Sequence, residues 1–274
     1  SFGNNAFGIF PSIGGAWIVS SEDFMKGLRN VDLLKYRLSF GLTGNDDIGN
    51  FSARQNYVSK NFLGVQGLVR EGVSNPYLRW ETVRKFNTGI DLSMFKERLN
   101  LSFDFYQNNT DKMLSYQNGN SLSGVAYYLD NSGAMKTTGI DFSLFGKIVT
   151  GRVKWDASLN LGTYKNEITS LPQTAYTEIA GATYVTQEGS AANLFYGYKF
   201  AGVYSTQVAA NAAGLTKYDV AGNKVPFQAG DAIFADKDGN RIIDENDRYV
   251  IGNPNPDLYG GFNNSVSYKN WTLG

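Results

Sequence analysis

Apolar and polar residues alternate with a period of two along most of this 274-residue chain. A side chain on the same face at every second residue is the geometry of a β-strand. From Leu34 the even positions are apolar (Leu34, Tyr36, Leu38, Phe40, Leu42), with Lys35, Arg37, Ser39 and Thr43 between them. Ile90, Leu92 and Met94 alternate with Asp91 and Ser93. After a turn at 96–98 the phase moves to odd positions: Leu99, Leu101, Phe103 and Phe105 against Asn100, Ser102, Asp104 and Tyr106. Ile140, Phe142 and Leu144, then Val153, Trp155, Ala157, Leu159 and Leu161, repeat the pattern around a turn at 147–151. Thr88-Gly89-Ile90-Asp91-Leu92-Ser93-Met94-Phe95 recurs as Thr138-Gly139-Ile140-Asp141-Phe142-Ser143-Leu144-Phe145, about 50 residues later. A propeller blade would recur throughout the chain; this motif occurs twice.

Two folds accept such strands. In a soluble sandwich the apolar face packs on a second sheet. In a transmembrane barrel it meets lipid, and the polar face lines a wet lumen. Three features favour the barrel. The runs approach the ~9–11 residues that a tilted strand needs to cross a bilayer. The polar phase carries full charges. Tyr and Trp fall near run ends (Trp17, Tyr106, Trp155, Tyr164, Tyr268, Trp271), where an interfacial girdle belongs. The expected fold is all-β: part of a transmembrane antiparallel up-and-down barrel, about eight strands with long extracellular loops.

Loop lengths orient it, since short turns face the periplasm and long loops the outside. Turns at 96–98, 147–151 and 269–270 are short; the stretches after Thr43, Tyr106 and Tyr164 are long. Residues 108–128 and 169–255 are therefore expected outside. Ser20-Ser21-Glu22-Asp23 offers a Ser N-cap for a short periplasmic helix between strands at 8–19 and 34–43. The strand ending near Tyr164 runs outward and the one starting near Leu258 runs inward, so the aromatic run 194–200 is not a lone spanning strand.

Composition removes most chemistry. Lys+Arg and Asp+Glu balance at 25 each, giving no electrostatic case for nucleic acid. There is no Cys and no His, hence no disulfide, no thiolate metal site and no Ser-His-Asp arrangement. Asp91, Asp104, Asp141 and Asp156 occupy the polar phase of separate strands and read as lumen lining, not as acid/base pairs. No enzyme site is expected. Tyr127, Tyr128, Tyr196 and Tyr198 are candidates for stacking on sugar rings from outer loops, with girdle or loop packing as the plainer role.

The one stretch with ligand chemistry is Asp236-Lys237-Asp238-Gly239-Asn240-Arg241-Ile242-Ile243-Asp244-Glu245-Asn246-Asp247. Its oxygen-bearing residues match a Ca²⁺ loop: Asp236, Asp238, Asn240, the Ile242 carbonyl, Asp244 and Asp247 would be the ligands, with Ile243 anchoring the loop. Arg241 replaces the Gly of the sharp turn, and Asp247 is shorter than the usual Glu. The alternative is an Asp/Asn/Gly turn closed by its own side chains.

Several segments together resemble the SusC/RagA-like TonB-dependent outer-membrane transporters of Bacteroidota. They are Phe10-Pro11-Ser12-Ile13 through Trp17, Leu38-Ser39-Phe40-Gly41-Leu42-Thr43-Gly44-Asn45 and Asn75-Pro76-Tyr77-Leu78-Arg79-Trp80-Glu81-Thr82. Phe86-Asn87-Thr88-Gly89-Ile90-Asp91, Phe195-Tyr196-Gly197-Tyr198-Lys199, Asp236-Lys237-Asp238-Gly239-Asn240 and Val250-Ile251-Gly252-Asn253-Pro254-Asn255-Pro256 follow in order. The resemblance implies that residues 1–274 are a C-terminal part of the barrel, incomplete at both ends. It implies an outer-membrane location and energised import of a bulky nutrient, a glycan oligosaccharide first and a peptide second. The implied partners are a SusD-like lipoprotein and, through an N-terminal part outside this sequence, the TonB complex. The rival from another class is a soluble, secreted, calcium-binding carbohydrate module.

Overall fold

The computed structural model of the chain describes residues 7–45, 47, 53, 57–70, 73–119 and 127–274, apart from the side chains of Phe62, Asn118 and Tyr127. In chain order the first strands are β1 (Ser12–Ile18), β2 (Val31–Asn45), β3 (Tyr57–Phe62), β4 (Val65–Arg70), β5 (Glu81–Met94) and β6 (Leu99–Asn118). Then come β7 (Tyr127–Thr150), β8 (Val153–Ser170), β9 (Ala175–Ile179), β10 (Ala182–Thr186), β11 (Leu194–Tyr198) and β12 (Phe200–Val203). After the helix α1 (Gln207–Ala213) follow β13 (Thr216–Tyr218), β14 (Lys224–Pro226), β15 (Ala232–Phe234), β16 (Ile242–Ile243), β17 (Arg248–Gly252), β18 (Tyr259–Tyr268) and β19 (Trp271–Leu273). The chain divides into two compact units, Ser1–Gln173 with Glu188–Ser190 and Pro256–Gly274, and Thr174–Gln187 with Ala191–Asn255.

The first unit is one antiparallel sheet of eight strands in the order β1-β2-β5-β6-β7-β8-β18-β19. Its register aligns the alternating phases across the whole width. Tyr36, Ile90, Phe103, Phe142 and Leu161 stand opposite one another in turn, as do Lys35, Asp91, Ser102, Ser143 and Asn160. One face is therefore apolar and the other polar, because a register shifted by one residue would mix them. The apolar face is bare: Phe40 is 48 %, Phe103 40 % and Phe262 67 % exposed. The buried apolar residues, Ala53, Leu78, Ile168, Val185, Leu194, Tyr204, Ala210, Phe227 and Ile243, all lie outside the alternating runs. A sandwich would bury that face under a second sheet, and these exposures are not those of a sandwich interior.

Strand ends depart from the sequence reading. β6 and β7 run 20 and 24 residues, so residues 108–118 and 127–128 are strand and not loop. Beyond Tyr106 the ladder continues as Gln107↔Thr138, Asn108↔Thr137 and Asn109↔Lys136, polar on both faces. Alternation marks the apolar band, whereas backbone pairing needs no apolar side chain and carries the hairpin past it. The turn expected at 147–151 narrows to 151–152, after a register shift between Lys147 and Val149. At 96–98 the turn is left-handed, with Phe95, Lys96 and Glu97 at φ 59°, 60° and 59°. Neighbours hold it: Glu97 N–H donates to the Asp32 carboxylate at 3.0 Å, and Arg98 donates to the Lys147 and Ile148 carbonyls.

The helix expected at Ser20 is a pair of 3₁₀ turns, Val19–Ser21 and Asp23–Met25, with no side-chain cap. Trp17 Nε1 instead donates to Glu22 at 2.8 Å and ties the link to β1. The girdle also needs correction. Tyr106 and Tyr164 both face Gly139 on the polar side, while Trp17, Trp155 and Tyr268 keep the apolar phase. A polar residue on that apolar phase, Asn264, accepts a hydrogen bond from the Trp155 indole, which satisfies its carbonyl where water would be scarce. The motif at 75–82 seats the connection before β5. Leu78 is fully buried with Ala53 against Trp80, Leu114 and Leu129, and the Asn131 amide bridges both backbone groups of Arg79 at 2.7 Å.

The second unit, inserted between β8 and β18, holds the four-stranded sheet β17-β11-β10-β9 and two smaller sheets. The aromatic run is β11, a five-residue strand between β10 and β17, and not a spanning strand. Its core gathers Tyr204, Ala210, Phe227 and Ile243. Helix α1 escaped the alternation reading but has its own signals. Thr206 caps the Ala209 N–H at 3.2 Å, four of the seven residues are Ala, and Gly214 closes it at φ 63°.

Candidate functional site

Polar phase by polar phase, the first unit assembles a charged wall. Arg37 on β2 makes a two-pronged bond to Asp91 on β5, Nε–Oδ2 and Nη2–Oδ1 both 2.9 Å, and reaches Asp104 on β6 at 2.9 Å. Lys35 meets Asp91 at 2.9 Å, and the Ser102 hydroxyl lies between the carboxylates, 2.9 Å from Asp91 and 3.2 Å from Asp104. These pairs cross three strands, so the carboxylates brace the sheet. They are charge-assisted and planar, the geometry for which Arg is suited. Asp141 stands opposite Asp104 in the β6–β7 ladder and accepts from the Tyr259 hydroxyl at 3.0 Å. The reading of Asp91, Asp104 and Asp141 as wall residues and not an acid/base pair agrees with this placement.

The repeated Thr-Gly-Ile-Asp motif has a physical reason. Gly89 faces Asp104, Gly139 faces Tyr106, and Gly162 faces Tyr259 across the ladder. A Cβ at each glycine would overlap the opposing side chain. The large group thus lies flat over a glycine on the neighbouring strand, an aromatic covering of glycine at two of the three positions.

In the second unit, three of the four carboxylates expected to bind calcium converge. Carboxylate oxygens of Asp236, Asp238 and Asp247 lie within 4.8 Å of one another. Asp236 also accepts from Gly239 and Arg241 N–H at 2.8 and 2.9 Å, and Asp238 from Asn240 N–H at 3.0 Å. Asp247, fully buried, accepts from Lys237 N–H at 2.7 Å and Asp244 N–H at 2.8 Å. Asn240 Oδ1 accepts from Ile242 N–H at 2.6 Å, and Asp244, outside the three-carboxylate cluster, accepts from Asn246 N–H at 2.8 Å. Arg241 takes the sharp turn at φ 64° despite its side chain, and Ile243 is buried in the unit's core. Each carboxylate oxygen has two lone-pair directions, so one N–H bond does not exhaust it. The donor set fits a hard cation.

Of the tyrosines named for sugar contact, Tyr196 packs on Tyr176 (5.4 Å between ring centres) and Tyr198 on Phe234 (5.4 Å), both within the second unit. Tyr128 stands on β7, and the Tyr127 side chain lies outside the described residues. Sequence reasoning missed Lys217 and Asp231, which pair at 2.9 Å. They are 14 residues apart on no shared periodic face, so no local pattern announces them.

A sheet with a bare apolar band on one face and a braced, charged opposite face is a section of membrane β-barrel wall. Residues 4–274 match the family described as TonB dependent receptor-like, beta-barrel. TonB-dependent receptor P3 of Formosa agariphila is 32 % identical over 283 residues, covering 98 % of this chain and 28 % of that protein. TonB-dependent receptor SusC of Bacteroides thetaiotaomicron is 29 % identical over 290 residues, covering 98 % and 27 %. The solved structure of the RagAB peptide transporter superposes with a TM-score of 0.76 at 27 % identity, covering 99 % of this chain and 29 % of its own. The chain belongs to the TonB-dependent receptor β-barrel family. It spans less than a third of the length of these relatives, which are receptors and transporters and not enzymes.

Proposed function

We propose that this chain forms part of the wall and outer loops of an outer-membrane, TonB-dependent active transporter that imports a bulky nutrient. The observation that carries this is the bare apolar band backed by the Arg37–Asp91–Asp104 wall. Water could not solvate the first cheaply, and lipid could not accept the second. A glycan oligosaccharide is the favoured cargo and a peptide the alternative. Aromatic rings beside hydrogen-bonding side chains in the second unit support the glycan. The partners in this reading are a SusD-like lipoprotein and the TonB complex. Growth of a deletion strain on single glycans or single peptides tests the cargo; growth on every glycan with loss on peptides would reverse the preference.

The topology follows from connection lengths. The β5–β6, β7–β8 and β18–β19 turns face the periplasm and the long connections after β2 and β8 face outward, and strand alternation puts the β6–β7 connection on the same outer side. In intact cells an impermeant maleimide is expected to label Gly119→Cys and to spare Glu97→Cys. The reverse pattern would invert the barrel.

Calcium at the loop 236–247 belongs to the same reading. Asp236, Asp238 and Asp247 would hold it, with Asn240, the Ile242 carbonyl and Asp244 completing the set, and the ion would relieve carboxylate repulsion and stiffen the loop. Affinity of roughly 10⁻⁴–10⁻³ M is expected, as for extracellular modules. Calorimetric titration of the full-length protein should show binding that Asp238→Asn weakens. No heat in either protein would leave a turn closed by its own backbone bonds.

A further inference from the structure

The second unit contains an aromatic cavity of ≈ 540 Å³ that the acidic loop only borders. Tyr198 and Phe234 form one wall, with Tyr218, Phe227 and the Lys217–Asp231 pair lining the rest. The floor is firm, because Phe227 and Ile243 are buried in the unit's core with Tyr204 and Ala210. The volume lies within the range of small-molecule sites, and apolar walls with a few convergent polar groups are their usual make-up.

The polar groups narrow the ligand. Lys217 Nζ lies 5.0 Å from the centre of the Phe227 ring and bonds Asp231 Oδ2 at 2.9 Å. The same Oδ2 accepts the Gln228 N–H at 3.0 Å, and among the described residues no hydrogen bond reaches Asp231 Oδ1. An ammonium has three donors, so the pair offers donors and an acceptor side by side. The Lys217 ammonium beside it holds the Asp231 carboxyl below the usual carboxylate range, so the acceptor is charged at neutral pH.

The lining narrows the alternatives. The place of a cationic side chain over Phe227 is already held by Lys217. An anion would meet three carboxylates, Asp231, Asp244 and Glu245, against the single ammonium of Lys217. A wholly apolar ligand would desolvate the ion pair with nothing in return. A neutral polyol whose ring lies against Tyr218 and Phe234 uses the ion pair without adding charge.

We propose that this cavity is a sugar subsite: a pyranose ring stacks on the Tyr218 and Phe234 rings while Lys217 and Asp231 hydrogen-bond its hydroxyls. This rests on the glycan reading of the cargo and places one contact of that cargo in the unit between β8 and β18.

The test is saturation-transfer NMR on the full-length protein in a detergent without a sugar headgroup. The probes are the methyl glycosides of glucose, galactose and mannose. At least one glycoside is expected to give signal, with binding weakened about five-fold by Tyr218→Ala, the loss of one ring contact. Asp231→Asn, which keeps an acceptor for Gln228 N–H, should weaken it as well. Tyr176→Ala, an exposed ring of the same unit outside the cavity, should leave it unchanged. Silence from all three glycosides, or signals indifferent to both cavity variants, would overturn the subsite. So would selective signal from an Ala-Lys-Ala peptide. Glycan-dependent growth is read separately. Import without glycoside contact removes the subsite and leaves the transport reading; cavity contact without import supports the subsite and counts against the transport reading.

Discussion

Phe103→Arg is expected to destabilise the folded barrel of the full-length protein by about 2–4 kcal/mol, the cost of a cation at a mid-membrane, lipid-facing position. Phe103 sits in the middle of the apolar band: its row runs Tyr36, Ile90, Phe103, Phe142, Leu161, and the ring is exposed where lipid would lie. The neighbouring position gives the contrast. Ser102 points to the opposite face, its hydroxyl between Asp91 and Asp104. Ser102→Arg loses those contacts and sets a guanidinium beside Arg37 and Lys35, which already pair with both carboxylates, but on a wetted face that repulsion is screened. Its net cost should be smaller than that of Phe103→Arg. Urea-dependent folding into vesicles, read as the fraction of heat-modifiable barrel on a gel, separates the two. Equal losses for Phe103→Arg and Ser102→Arg would mean that the two faces are misassigned.

That contrast rests on information wholly legible in the sequence, because alternation is a property of each strand and pairing only brings equal phases together. The eight strands, their order from β1 to β19 and the excursion between β8 and β18 all followed from phase and from connection length. Strand ends did not, since the ladder beyond Tyr106 pairs polar residues with polar residues and leaves no periodic trace. Residue type alone puts Tyr106 and Tyr164 in a girdle, whereas their even positions place them opposite in phase to Phe103 and Leu161. Parity was the better guide than propensity. The acidic loop was legible as a cluster, since its carboxylates are close in sequence. The cavity was not: Tyr198, Lys217, Phe227, Asp231 and Phe234 meet only after several short strands have folded back on one another.

The glycines of the repeated motif allow a sign-reversal experiment. In an ordinary strand Gly→Ala removes an entropic cost and should stabilise by roughly 0.5–1 kcal/mol. At Gly139 the added Cβ would overlap the Tyr106 ring lying across it, and overpacking costs about 1–3 kcal/mol. The second effect is the larger, so Gly139→Ala is expected to destabilise the full-length barrel. Removing the ring removes the overlap. In a Tyr106→Ala background the same Gly139→Ala change should become neutral or stabilising, giving a coupling of at least about 1 kcal/mol between directly opposed residues. Gly162, outside the motif, and Tyr259 provide a second cycle on the same face, measured apart from the first because the Tyr106 and Tyr259 side chains hydrogen-bond each other. There Tyr259→Phe adds a control, because it keeps the ring over Gly162 but loses the bond to Asp141. If the ring is what excludes a side chain, Gly162→Ala should remain costly in the Tyr259→Phe background and become harmless in the Tyr259→Ala background. Additive effects in both cycles would show that the glycines serve the backbone alone, and that the repeated Thr-Gly-Ile-Asp owes nothing to the groups laid over it.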